Sequence, residues 1–127
     1  MSQILIVEHH GQRWEPLSRC FAGRGHRVRR ASDAEEALRL AAECPPEVLL
    51  VDLDLPDLSP YTLVRTLRTT PPFHECFVVA LVGERPLDAA EFEEAGFNAS
   101  VSWSADPEVT FCELLGLPGS RLGRGAA

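Results

Sequence analysis

VLLVDLDLPDLSP, residues 48–60, decides the fold. Val48–Val51 is a short apolar run that ends in Asp52, and Asp54 follows two positions on. A run apolar on both faces reads as a central strand of a parallel sheet, buried on each side by helices. A carboxylate at the end of such a strand is unfavourable unless something binds it. Val48–Val51 therefore predicts both a sheet position and a site.

Working outward, strands and helices alternate. Gln3–Val7 and Phe77–Val82 are further apolar runs, and Arg27–Arg30 and Ala99–Ser102 are shorter and more polar. Helices are expected at Pro16–Ala22, Asp33–Glu43, Thr62–Thr69, Leu87–Ala95 and Pro107–Leu115. Ser32 with Glu35 three residues on suggests a capping box, and Asp106 followed by Pro107 a second helix start. Gly23, Gly96 and the Pro45-Pro46 and Pro71-Pro72 pairs supply the stops. Five βα units with short connections imply a doubly wound five-stranded parallel sheet, flavodoxin-like, with the polar strands at its edges and order 2-1-3-4-5. Residues 1–116 read as one domain. Residues 117–127, rich in glycine, read as a flexible tail or the start of a linker.

The bulk properties exclude several classes. The 127 residues suit one domain, and no apolar run approaches the roughly 20 residues that span a bilayer. MSQILIVEHH enters a strand pattern directly, without the basic and apolar regions of a signal peptide, so a cytoplasmic location is expected. A net charge of −7 argues against direct nucleic-acid binding. Cys20, Cys44, Cys76 and Cys112 have no CxxC spacing and read as small apolar side chains. All twelve basic residues are arginine, and lysine is absent.

In a doubly wound sheet, ligands bind beyond the carboxyl ends of the strands. Those ends supply Glu8 and His9, then Asp52 and Asp54, then Val82 to Glu84, then Ser102 and Trp103. With ILIVEHH, GHRVRRASDAEEAL, VLLVDLDLPDLSPYTLVRTLR, FVVALVGE and EAGFNASVSWSADPEVTFCELL in that order, the chain resembles the receiver domain of two-component response regulators over about residues 3–115. The resemblance implies phosphoryl transfer from a phosphohistidine to an aspartate at a Mg²⁺ site. It further implies a histidine kinase or other signalling protein as partner, met through the face formed by Leu87–Ala95, Ala99–Ser102 and Pro107–Leu115. It leaves homodimerisation open.

Carried over position by position, the resemblance places Asp52 as phosphoacceptor and Glu8, Asp52 and the Asp54 backbone carbonyl as metal ligands. His9 stands where the family has its second acidic metal ligand, and imidazole suits a hard Mg²⁺ ion poorly. Val82 replaces the Ser/Thr hydroxyl, Trp103 the lysine, and Ser100 the aromatic switch residue; Pro60 replaces a glycine. Arg85 could stand in for the lysine, and Trp103 could plug the space the lysine vacates. Each lost group removes about 2–4 kcal/mol of stabilisation from a phosphoryl-transfer site. The expectation is a degenerate receiver, a pseudo-receiver, with slow or absent phosphorylation, a weakened Mg²⁺ site, no enzymatic activity and output through protein contacts. Two alternatives are a phosphorylatable receiver using Glu8, Asp52 and Asp54 with Mg²⁺, and an aspartyl phosphatase of haloacid-dehalogenase type built on the Asp52-Leu53-Asp54 motif.

Overall fold

A computed structural model describes residues 2–73 and 75–124. The strands are β1 (Gln3–Val7), β2 (Arg27–Ala31), β3 (Val48–Asp52), β4 (Phe77–Val82) and β5 (Ala99–Ser102). The helices are α1 (Trp14–Ala22), α2 (Ala34–Glu43), α3 (Pro60–Arg68), α4 (Ala89–Ala95) and α5 (Pro107–Leu115). All neighbouring strands pair in parallel, in the order β2-β1-β3-β4-β5. This is the expected doubly wound sheet.

Alternation along the central strands divides the core into two layers. Leu5, Val7, Leu49, Val51, Val78 and Ala80 face a cluster completed by Ala34, Ala37 and Ala41 of α2, by Leu63, Val64 and Leu67 of α3, and by Ala95 of α4. Ile4, Ile6, Val48, Leu50, Val79 and Leu81 face the other way, against Leu17 and Phe21 of α1 and Leu114 of α5. The edge strands are more exposed, as their polarity requires. Small alanines on α2 let that helix lie close to the sheet. The fully buried carboxyl end of β3 is thereby walled on both faces, and this positions the site.

Helix starts shift from the expected places for local reasons. Asp33, not Ser32, caps α2, its side chain accepting the Glu36 N–H at 2.8 Å. Glu36 reaches back to accept the Ser32 N–H at 2.8 Å, one residue before the cap, so Asp33 and Glu36 together close the start of α2. Helix α3 begins at Pro60, with Ser59 as cap, because proline is favoured in a first helical turn. Helix α4 begins after Asp88, whose carboxylate accepts the Glu91 N–H.

The segment after α5 differs from the composition-based expectation of a flexible tail. A 3₁₀ turn at Leu122–Arg124 folds back, Leu122 is fully buried in the α1/α5 layer, and Ser120 is 3% exposed. The Ser120 hydroxyl accepts the Leu122 N–H at 3.1 Å, and Arg24 donates to the Gly123 carbonyl at 3.2 Å. Leu122 and Leu117 packing on the α1/α5 layer, with the Ser120 and Arg24 hydrogen bonds, hold it in place. Residues 125–127 of that segment lie outside the described residues.

The arginine-rich stretch at residues 24–30 is largely tied to backbone. Arg29 donates to the Leu40 and Cys44 carbonyls, and Arg30 to those of Glu8 and His9.

Candidate functional site

The carboxyl ends of β1, β3, β4 and β5 meet as the topology predicts, and they gather Glu8, Asp52, Asp54, Val82 and Trp103. Asp52, the last residue of β3, is fully buried. Its Oδ1 accepts the Asp54 N–H at 2.9 Å, while its Oδ2 is buried without a hydrogen-bond partner. Burial is the main cause pushing its pKa above the ordinary value. The Asp54 and Glu8 carboxylates push the same way, against the Asp54 N–H and the Arg13 guanidinium.

Glu8 is also fully buried, but its carboxylate is committed. Both oxygens accept the Gly11 N–H, at 2.8 and 2.7 Å. Gly11 has φ +80°, a conformation that favours glycine, and so turns the β1–α1 loop back onto Glu8. Arg30 secures that loop through the Glu8 and His9 carbonyls and lays its guanidinium over Trp14. His9 and His10 are exposed, their rings 5.5 Å apart, so His9 is not brought into the cluster.

Asp54 points toward the loop after β4. Its Oδ2 accepts the Glu84 N–H at 3.2 Å and its Oδ1 the Arg85 N–H at 3.1 Å. The Arg85 side chain is 64% exposed, with Nε 4.0 Å from Asp54 Oδ1, a loose surface pair. Val82 is half-buried against the α2–α4 layer, and Ser100 on β5 is exposed.

Trp103 leaves β5 with its N–H donating to the Val82 carbonyl at 2.9 Å. The indole is half-buried and packs on the α1/α5 layer. The Arg13 guanidinium lies over this ring, 5.3 Å from its centroid. Sequence reasoning missed Arg13. It sits in a loop, immediately before α1, where no periodicity reports direction. Gly83 was also missed, and here the missing side chain matters. A Cβ there would stand 2.7 Å from Asp54 Oδ2, 3.1 Å from Arg13 Nη1 and 3.6 Å from Trp103 Cδ1, so these three groups converge on a backbone that must stay bare.

A Mg²⁺ ion requires a near-octahedral set of oxygens at about 2.1 Å. The carboxylates of Glu8 and Asp54 are spent on backbone N–H groups, and Asp52 Oδ2 is the uncommitted oxygen. Among the described residues no group of three or more His, Cys, Asp or Glu side chains is disposed to hold a metal ion. As arranged, the side chains of Glu8, Asp52 and Asp54 do not fit Mg²⁺, and His9 stands outside them; the Asp54 backbone carbonyl, the third expected ligand, is a separate group from the Asp54 carboxylate that binds the loop.

Comparison with known proteins decides the family. The model of the response regulator receiver domain family matches residues 4–109. The chain belongs to this family. Among curated relatives, the transcriptional regulatory protein KdpE of Mycobacterium tuberculosis is 38% identical over 68 residues, which is 54% of this chain and 30% of the relative. The matched segment therefore covers less than a third of that relative's length. A two-component response regulator of the LuxR family from Aurantimonas is 27% identical, with a TM-score of 0.79, over 98% of this chain and 86% of that one. The chemotaxis response regulator CheY4 of Vibrio cholerae, 20% identical with a TM-score of 0.80 over 90% and 96% of the two chains, shares the fold. This receiver is a domain of two-component signalling, and no described helix is long and apolar enough to cross a membrane.

Proposed function

We propose that this receiver signals through protein contacts and that phosphoryl transfer to Asp52 is very slow or absent. The observation that carries the reading is the surroundings of Asp52. Its neighbouring cation is Arg13, stacked on Trp103, and the nearby strand ends supply valine and tryptophan where the family has a hydroxyl and a lysine. Valine cannot hydrogen-bond a phosphoryl oxygen, and an indole offers one N–H but no charge. Transfer would then lack the groups that neutralise developing phosphoryl charge.

The contact surface in this reading is the α4–β5–α5 face. From residue 86 to residue 120 the chain carries no Arg, Lys or His. The exposed residues Asp88, Glu91, Glu93, Glu94, Asp106, Glu108 and Glu113 make this region uniformly acidic. A histidine kinase or other signalling protein meeting it would present a basic surface, whose attraction would be screened by salt. A second copy of the chain, also net acidic, is a poorer match at this face.

A specific observation favours a second reading, a working acceptor. Asp52 Oδ2 has no partner, so one oxygen remains free to attack phosphorus. The phosphatase reading has less support, because Asp54, the general acid it requires, accepts two backbone N–H bonds through its carboxylate.

Intact mass after incubation with excess acetyl phosphate and Mg²⁺, with Asp52→Ala as control, separates these readings. The proposal expects an unchanged mass. A gain of one phosphoryl group that disappears in Asp52→Ala would overturn it.

A further inference from the structure

Six buried side-chain polar atoms among the described residues have no hydrogen-bond partner, and three of them belong to this site. They are Asp52 Oδ2, Arg13 Nη1 and Trp103 Nε1. The other three belong to Arg24, His26 and Arg29, around β2. Native proteins rarely leave such atoms unpaired, so a concentration at the strand ends marks a place arranged for charge rather than for hydrogen bonding.

We propose that Arg13 is the resident cation of this receiver: its guanidinium, laid on the Trp103 indole in the strand-end cluster that holds Asp54 and Asp52, occupies the electrostatic role of a divalent metal and keeps metal ions out. Three features support this. First, the placement is built. The β1–α1 loop that carries Arg13 is fixed by Gly11 on Glu8 and by Arg30 on two loop carbonyls. Second, the chemistry suits arginine. A guanidinium is planar, weakly hydrated and always charged, so it can stack on an indole and remain charged while partly buried. Third, bare Gly83 leaves room for Arg13 Nη1 and Asp54 Oδ2 to approach one backbone position from either side.

The inference deepens the proposed function and shares with it only the location of the site. A fixed positive charge in this cluster repels an incoming dication, and the Glu8 and Asp54 carboxylates are already spent on backbone amides. Arg13 is thus a positioning residue. It holds the site in one arrangement without a metal whose arrival could change it.

Terbium, a hard oxygen-seeking cation whose luminescence is excited through a nearby tryptophan, is the probe. Wild-type protein, Asp52→Asn, Arg13→Gln, Arg13→Lys and the Arg13→Gln/Asp52→Asn double variant are titrated, with thermal melts confirming that each folds. The expected result is weak binding by wild type and by Arg13→Lys, at least about tenfold tighter binding by Arg13→Gln, and loss of that gain in the double variant. Tight binding by wild type that Asp52→Asn removes overturns the proposal without any Arg13 variant. So does an Arg13→Gln variant that binds no better than wild type, a gain that survives Asp52→Asn, or an Arg13→Lys variant that binds like Arg13→Gln. The readout is ion binding, not phosphorylation. If Asp52 accepts a phosphoryl group while wild type still excludes terbium, the proposed function fails and this inference stands. If wild type binds terbium tightly but gains no phosphoryl mass, the inference fails alone.

Discussion

The Asp52→Asn substitution isolates the energetic consequence of burying a charge at the end of β3, because asparagine matches aspartate in shape and keeps an oxygen for the Asp54 N–H. Asp52 is fully buried, with one oxygen paired at 2.9 Å and the other unpaired. A buried acceptor left without a partner costs about 1–3 kcal/mol, and a charged one more. The Glu8 and Asp54 carboxylates add repulsion, and Arg13 offsets part of it. Arg13 itself is only partly buried, although its Nη1 is enclosed, so part of its charge keeps contact with solvent when its neighbour loses charge. The expected net effect is a gain of about 1–3 kcal/mol in unfolding free energy at neutral pH. For a domain of this size that corresponds to a rise in Tm of roughly 4–12 °C.

The pH dependence follows from the sign of the shift. Burial raises the Asp52 pKa from an ordinary value of 3.8, so the folded state binds this proton more tightly than the unfolded state. Stability contributed by the neutral carboxyl is therefore lost as pH rises from about 3.8 through the folded value. The advantage of asparagine should grow as pH rises through the folded value and should vanish in acid below about 3.8. Urea and thermal unfolding of both proteins across this range, followed by far-ultraviolet circular dichroism, measure it. A variant no more stable than wild type at neutral pH, or a gain that does not change with pH, would refute the reasoning.

Three other substitutions probe the surrounding structure. Gly83→Ala introduces a Cβ 2.7 Å from Oδ2 of the Asp54 carboxylate, which two backbone N–H bonds hold in place through its two oxygens, so thermal unfolding should show a loss of about 1–3 kcal/mol. Leu122→Ala empties a fully buried position and should cost about 2–5 kcal/mol in urea unfolding, whereas a flexible tail would show no change. His26 accepts the Ser2 N–H at Nδ1 and is 5% exposed; burial pushes its pKa below the usual 6.5. The unfolded chain then takes up this proton first, so stability should fall as pH drops below about 6.5. In urea midpoints over that range, His26→Asn should fall less steeply than wild type.

The strands were legible because the sheet depends on composition and alternation. Phe77–Val82, Gln3–Val7 and Ala99–Ser102 coincide with the structure, and their polarity alone ordered centre and edge. Helix starts were less legible where neighbouring residues compete for one role. Ser32 and Asp33 can both cap, and the geometry of Glu36 decides between them. Of the site, the strand-end residues were legible from topology and the losses at Val82, Ser100 and Trp103 from the family resemblance. Arg13 was not. A twelve-arginine chain gives no hint which guanidinium turns inward, and Arg85, close to the site in sequence, stays mostly in solvent. The buried Leu122 was obscured by the glycines around it, since their flexibility describes the unfolded chain and not the pocket that one leucine can fill.

The central claim is that the Asp52 site is held in one arrangement from within and does not respond to a phosphoryl group. The most direct test is the Trp103 indole N–H resonance, assigned with Trp103→Phe, recorded in a ¹⁵N-correlated spectrum before and after Mg²⁺ and beryllofluoride, a mimic of an aspartyl phosphate. The account predicts that this resonance and the Gly83 and Glu84 amides stay where they are. Shifts at these positions that disappear in Asp52→Asn would contradict it.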